Sequence, residues 1–380
     1  MKAILLSSAV MALILLGDAL IYPVLPLHAA AFGISLPWVG VLLSANRFVR
    51  VFAYGTVARA TETIGMRRAC IAAAVVCVVA TAAYGLADGP ILLLTARVLY
   101  GIAYAALVLI TLGYAVEVRV GSGGRIGWSR AVQRVGPVAA LLVGPWLTAT
   151  FGPRLVFVLL AAVTAIAVPL AMVLPRDRPR TGAPSSRVPS LERPTMLDVL
   201  FFQIGGGVDG VFVVSVTLIL AQQHATSVAV VLGGALLAMR HLSEGLLAPV
   251  FGSMADRYGA RRLFVAMIVA TAVGFAAIAL GATVVGALLM LGARGALAAI
   301  GPALVVEEAP RGAAVMGGLA RLQAWRDLGA AVGPLATGYL LLVTSPELLH
   351  GIVAALIGGT MAVWAQSERA RRSAPAPVEG

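Results

Sequence analysis

The sequence predicts an all-α membrane protein of twelve spans arranged as two similar six-helix bundles. Three observations predict it: a composition with too little charge to coat a soluble domain, an alternation of basic and base-free loops, and an internal repeat of unusual residues.

Composition comes first. The chain has 380 residues, of which 60% are hydrophobic and 12% charged, with a mean hydropathy of +0.98. Soluble domains average about 25% charge, so much of the apolar surface must face lipid. Cutting the chain at its polar breaks leaves apolar stretches of roughly 20 residues, enough for a helix to cross a ~30 Å hydrocarbon core. Barrel strands would be shorter and would alternate in polarity. The expected spans are 4–29, 36–58, 69–87, 91–115, 129–150, 154–174, 197–222, 228–251, 262–282, 284–307, 315–343 and 347–366. A signal peptide is not the reading of span 1, because its leading region holds only Lys2 and its apolar run is long and contains Asp18 and two prolines.

The loops come next. The net charge of +12 would suit a nucleic-acid partner, but its distribution argues against one. Arg59, Arg67 and Arg68 follow span 2, Arg119 and Arg125 follow span 4, and Arg176, Arg178, Arg180, Arg187 and Arg193 follow span 6. Arg257, Arg261 and Arg262 follow span 8, Arg311 follows span 10, and Arg369, Arg371 and Arg372 follow span 12. The opposite loops are nearly free of base, Arg154 excepted. This positive-inside pattern predicts a multi-pass protein of the cytoplasmic (inner) membrane with both termini in the cytoplasm and no nucleic-acid partner.

The repeat completes the fold. Asp18 matches Asp209 at an offset of 191, Arg50 matches Glu244 at 194, and Gly65 matches Gly259 at 194. Arg97 matches Arg294 at 197, and Gly144-Pro145 matches Gly333-Pro334 at 189. A near-constant offset for five unusual features reads as a duplication, and six spans per copy make the repeats parallel in the membrane. The expected division is an N-terminal bundle over 1–174, a Pro/Ser/Arg-rich cytoplasmic linker over 175–196, a C-terminal bundle over 197–366 and a disordered tail over 367–380.

One segment carries a family signature. Gly252-Ser253-Met254-Ala255-Asp256-Arg257-Tyr258-Gly259-Ala260-Arg261-Arg262 resembles the loop signature of the major facilitator superfamily, between the second and third helices of each half. Its chemistry suits a tight basic turn: glycines allow close approach, and Asp256 can cap a helix or pair with arginine. The first copy, Ala58 to Arg68, is degraded, with Glu62 in place of the aspartate and Ala58 in place of the leading glycine, while Gly65 is kept. Arg97 through Ala105 resembles the family's motif with a membrane-embedded arginine, which implies proton coupling. Gly136 through Gly144-Pro145 resembles its antiporter motif, which implies export, although Trp146 and Leu147 stand where a glycine pair is usual. A kinked, closely packed helix would explain the same residues.

Charges inside the spans supply candidate sites. The acids are Asp18, Asp209, Glu244 and Asp327, and the bases are Arg47, Arg50, Arg97, Arg134, Arg240, Arg294 and Arg326. Intramembrane charge is costly and usually marks a hydrated path or a pair. Counted from the cytoplasmic ends at 1.5 Å per residue, Asp18 sits ~20 Å and Asp209 ~18 Å deep, with Arg47 and Arg240 both ~16 Å deep. Each half thus offers an acid and an arginine near the midplane. Asp18, Asp209 and Arg97 are the proton-coupling candidates. Arg47, Arg240, Tyr22 and Trp325 are the candidates for the substrate cavity. A permanent structural ion pair is the competing reading for each acid.

A second set lies shallower. Arg50 and Asp327 fall ~12 and ~15 Å deep, and Arg134 and Glu244 ~9 and ~10 Å. In the family that the chain resembles, helix 2 meets helix 11 and helix 5 meets helix 8 at the cytoplasmic gate. The expectation is two ion pairs between the halves, Arg50–Asp327 and Arg134–Glu244, closing that side. Pairing within one half, for example Arg326 with its neighbours, is the alternative. His28, His224 and His350 fall near the outer ends and are expected to be solvated.

The functional expectation is a secondary transporter that moves a small organic solute by alternating access, with proton-coupled export as the leading form. An organic-anion carrier using the surplus arginines is the runner-up. A membrane enzyme or sensor is disfavoured, since no nucleophile–base pair, metal-spaced His/Cys cluster or phosphate-binding glycine loop occurs. Cys70 and Cys77 lie ~10 Å apart on one helix, too far for a disulfide. No cofactor and no metal are expected. The expected partners are the solute, protons and the bilayer, and the expected state is a monomer.

Overall fold

The computed structural model describes residues 1–176, 193–309 and 315–373. The middle of the expected linker, Arg311 and the last seven residues of the expected tail lie outside the described residues.

Twelve helices form in the described residues. They are α1 (Lys2–Leu27), α2 (Leu36–Ile64), α3 (Met66–Leu86), α4 (Pro90–Val116), α5 (Ser122–Phe151) and α6 (Leu155–Thr164, resuming at Ala167–Met172). The second set is α7 (Met196–Gly206, a π turn over Gly207–Phe212, then Val213–Gln223), α8 (Thr226–Tyr258), α9 (Ala260–Ala279), α10 (Thr283–Glu308), α11 (Val315–Leu340) and α12 (Pro346–Ser373). Eight of them are long and apolar enough to cross a membrane by composition alone. The remaining four are α2, α5, α8 and α11, the helices that carry Arg47, Arg50, Arg134, Arg240, Glu244, Arg326 and Asp327. They fall short because polar residues line one of their faces.

Several boundaries depart from the sequence expectation. α2, α5 and α8 run past their apolar stretches, since polar residues at a helix end emerge from the membrane without leaving the helix. α12 continues through Ser373, so residues 367–373 are helical rather than disordered. That stretch, Ser-Glu-Arg-Ala-Arg-Arg-Ser, contains good helix formers. α6 breaks after Thr164 because Pro169 has no N–H to offer the Ala165 carbonyl. The chain tightens there instead, with Val168 N donating to Ala165 O at 3.1 Å and Ile166 N to Val163 O at 3.2 Å.

The repeat is visible in the turns. Gly65 joins α2 to α3 at φ 87°, and its mate Gly259 joins α8 to α9 at φ 90°. Both angles lie in the region that only glycine enters without strain. Large apolar side chains such as Val79, Leu142, Leu246 and Leu356 are exposed, an arrangement that suits contact with acyl chains.

The two bundles meet chiefly along α5 with α8 and along α2 with α11. Closest approach is toward the end that bears the arginine-rich loops, the basic end. Gly123 and Gly252 face one another there through their backbones, and Gly127 lies against Ala248 and Pro249. A Cβ at Gly127 would fall 2.6 Å from Pro249 Cα and 2.7 Å from Ala248 C. Gly127→Val is therefore expected to lower the thermal unfolding midpoint, at a cost of at least about 1–3 kcal/mol for overpacking against rigid backbone. An unchanged midpoint would mean that α5 and α8 are free to part.

Candidate functional site

The midplane acids sit on kinked or irregular helices. Asp18 lies in α1 five and eight residues before Pro23 and Pro26, which interrupt the hydrogen-bond ladder. Asp209 lies in the π turn of α7, a geometry concentrated at functional sites. That turn follows a run of glycines, and Gly205 and Gly210 pack directly on the α11 backbone near Arg326 and Gly333.

In the N-terminal bundle Asp18 is held within its own half. Arg97 of α4 donates from Nη1 to Asp18 Oδ1 at 2.7 Å, and Asn46 of α2 donates from Nδ2 to the same oxygen at 3.0 Å. Arg97 is fully buried and also donates from Nε to Leu42 O at 3.0 Å. Tyr22 and Tyr84 flank its guanidinium at 5.7 and 5.9 Å. Arg47 does not pair with Asp18. It reaches into the other bundle, where Nη1 donates to Ala330 O at 2.6 Å, and it faces the phenol of Tyr22.

In the C-terminal bundle two arginines share Asp209. Arg240 of α8 donates from Nη1 to Oδ1 at 2.6 Å, and Arg294 of α10 lies 3.7 Å from Oδ2. Arg294 also donates to Glu244 Oε2 at 3.4 Å.

Nearer the basic end the polar contacts cross between bundles. Arg50 Nε is 3.2 Å from Asp327 Oδ2. Tyr54 donates to the same oxygen at 2.8 Å, and Arg326 donates to Oδ1 at 3.0 Å. Arg134 Nε is 3.5 Å from Glu244 Oε1. Asp327 thus has partners in both halves at once, so the two pairing alternatives coexist. The Arg50 guanidinium also lies 4.3 Å above the Tyr104 ring.

The loop signature clamps the bundles at the same end. Asp256 of α8 accepts from the backbone N–H of Gly123 at 2.8 Å and of Gly124 at 2.7 Å, capping α5 of the opposite half. It acts as a cap here rather than as an arginine partner. Arg257 lies 5.3 Å over the Tyr258 ring and Arg261 5.0 Å over the Trp364 ring, while Arg262 is exposed. Glu62, the acid of the first copy, is half-buried. Asp256→Ala is expected to cost about 0.5–2 kcal/mol, the usual loss for a helix cap. Faster hydrogen exchange at the Gly123 and Gly124 amides would report it, and unchanged exchange would count against the cap.

Other expectations divide. Trp325 packs edge-on against Phe202, with ring centroids 6.3 Å apart. His350 is fully buried rather than solvated. Its Nδ1 lies 2.8 Å from Pro346 O, and its ring lies 5.8 Å from Phe275, because the outer end of α12 packs on α9. Sequence reasoning gave no role to Asn46, Tyr54 or Arg294. A signal existed for two of them: Arg294 is the repeat mate of Arg97, and Asn46 is the mate of Arg240 at an offset of 194.

Comparison with known proteins identifies the architecture. The family profile described as Major Facilitator Superfamily matches residues 8–208 and matches again over 199–380. The chain belongs to the major facilitator superfamily. Two matches in tandem accord with two bundles, and membership makes the chain a multi-pass membrane transporter of small molecules and not an enzyme. Among solved structures, the superfamily's proton:xylose symporter XylE, bound to 6-bromo-6-deoxy-D-glucose, aligns at TM-score 0.74 and 12% identity over 96% of this chain and 95% of that one. The human organic anion transporter MFSD10 (TETRAN) aligns at TM-score 0.71 and 14% identity over 95% of this chain and 98% of that one. Among curated proteins no sequence matches this chain.

Proposed function

We propose that this superfamily transporter is a proton-coupled carrier that exports a small organic solute across the cytoplasmic membrane by alternating access. The observation that carries the reading is the cluster of Asp18, Arg97 and Asn46, a carboxylate near the middle of α1 held by one buried cation and one amide. An acid in that setting is neutralised as an ion pair in one conformation and takes a proton when hydration or rearrangement separates it from its arginine. The positive-inside bias supports placing the basic end in the cytoplasm. The Arg50–Asp327 and Arg134–Glu244 pairs and the Asp256 cap then act as latches on the cytoplasmic side. Each latch biases the equilibrium between inward- and outward-facing forms by its own free energy. The export direction rests on the antiporter-like segment of α5. Packing also accounts for that segment, since Gly136 lies against Ala12 and Gly144 against Leu20.

A second reading, an organic-anion carrier, is favoured by Arg47, which faces the other bundle and rests on a carbonyl. The fold accommodates both chemistries, since one structural neighbour is a proton symporter and the other an organic anion transporter.

The test is reconstitution of the purified chain into liposomes with an imposed pH gradient and an internal pH dye. A solute that the protein moves is expected to draw protons in the opposite direction. Transport of that solute without any proton movement would refute the coupling and leave only the carrier.

A further inference from the structure

The two bundles build the same three-part cluster around their midplane acids, with one part changed. Asp18 is met by Arg97 and Asn46, and Asp209 by Arg294 and Arg240. The three pairs of equivalents are repeat mates at offsets of 191, 197 and 194. Where the first bundle places an amide, the second places another guanidinium. The first cluster is neutral, and the second carries an extra positive charge.

Two features enlarge that excess. Arg47 of α2 is close enough to Asp209 to act on its charge across the interface, yet its polar contacts are a backbone carbonyl and the Tyr22 phenol. Among the described residues it has no carboxylate within salt-bridge distance. Glu244, which also touches Arg294, is itself engaged by Arg134. Counted together, four guanidinium groups face two carboxylates. The Asp209, Arg240 and Arg294 side chains keep 13%, 21% and 20% of their surface accessible, and Arg240 Nε has no hydrogen-bond partner. Unbalanced cations at membrane depth call for a compensating anion or for water, and planar guanidinium forks match the oxygens of a carboxylate or other oxyanion.

We propose that Arg47, Arg240 and Arg294 form the seat for an anionic group of the substrate, and that Asp209 is the built-in counter-anion that holds the seat while it is empty. This rests on the carrier reading and deepens it by dividing the labour. Asp18, in the neutral cluster, handles the proton. Asp209 exchanges its guanidinium partners with the substrate anion and needs no proton, because the surplus arginines absorb the second negative charge.

The experiment is equilibrium binding to the purified full chain in detergent, with no gradient present. Thermal unfolding is followed against sodium benzoate and sodium chloride, with benzamide as the neutral control. Asp209→Asn vacates two guanidinium groups. Benzoate and chloride are expected to stabilise it at concentrations at least about tenfold below those needed by the unmodified protein, while benzamide treats both alike. Adding Arg240→Gln to that variant should remove the gain. Asp209→Ser is a second route should the asparagine variant not fold. Asp88→Asn, which removes a carboxylate from an exposed pair with Arg154 on the loop between α3 and α4, is expected to keep the anion response of the unmodified protein. An Asp209 variant that gains no anion response would overturn the proposal, as would an equal gain in Asp88→Asn. Because no transport is measured, failure here leaves the proton-coupled carrier standing, and failure of proton coupling leaves the seat standing.

Discussion

Replacing Asp18 by asparagine is expected to reduce proton-driven solute flux in liposomes to the level of protein-free vesicles while the protein stays folded. Asparagine has nearly the shape of aspartate and keeps an oxygen for Asn46 to donate to, so the packing around α1 survives. What it removes is the only group in the cluster that both carries a negative charge and accepts a proton. Arg97 has almost no accessible surface and then stands without its carboxylate. Loss of a partner from a buried pair costs about 3–5 kcal/mol, so lower stability is expected as well. Counterflow of labelled against unlabelled solute, which needs no net proton movement, separates the two effects. Retained counterflow with lost gradient-driven flux assigns Asp18 to coupling. Full gradient-driven flux in the asparagine variant would remove Asp18 from the mechanism.

The second large effect is expected at Asp327. This carboxylate is 2% exposed and takes contacts from Arg50, Arg326 and Tyr54. Asp327→Ala leaves two guanidinium groups side by side at the contact between bundles, Arg50 nearly buried and Arg326 partly accessible. The penalty, about 3–5 kcal/mol for an uncompensated buried charge, falls on the form closed at the basic end. Where the bundles part, water solvates both arginines and most of the penalty disappears. A shift of that size changes the ratio of closed to open forms by at least about a hundredfold. Spin labels at exposed Arg68 and Arg262, in the first turns of α3 and α9 of opposite bundles, should report longer distances in the variant. The double variant Arg50→Gln with Asp327→Asn removes both signs of charge together and is expected to shift less. Unchanged distances in folded Asp327→Ala would show that the pair does not bias the equilibrium.

The two ion pairs between the bundles were legible because the sequence holds their parts at matched depths. Arg50 and Glu244 are repeat mates of opposite sign, and each meets a partner from the other bundle, Glu244 meeting Arg294 of its own bundle as well. Asp209 with Arg240 was legible for a different reason, since both stand at the same depth on consecutive helices. The partner of Asp18 was harder. Depth alone favoured Arg47, ~16 Å up against ~20 Å for Asp18, and only the rotation of α2 about its axis turns it away. That rotation turns Asn46 toward α1 and sends Arg47 toward α11. Arg294 had no assigned role because its contacts with both Asp209 and Glu244 need α7, α8 and α10 to converge. His350 was misplaced because nearness to a helix end measures depth in the membrane and says nothing about packing against a neighbour.

By itself the sequence determined the number of spans, their duplication and the sign of charge at each depth. These follow from rules that act along one helix at a time: the thickness of the hydrocarbon core, the cost of charge within it and the bias of basic loops. The tertiary structure alone decided that Arg97 meets Asp18, that Arg294 joins Asp209 and Glu244, that Asp256 caps the opposite bundle, and that a π turn holds Asp209. Those outcomes depend on how each helix is rotated, kinked and set against the others. Helix rotation is fixed by glycine and side-chain contacts between elements far apart in the chain.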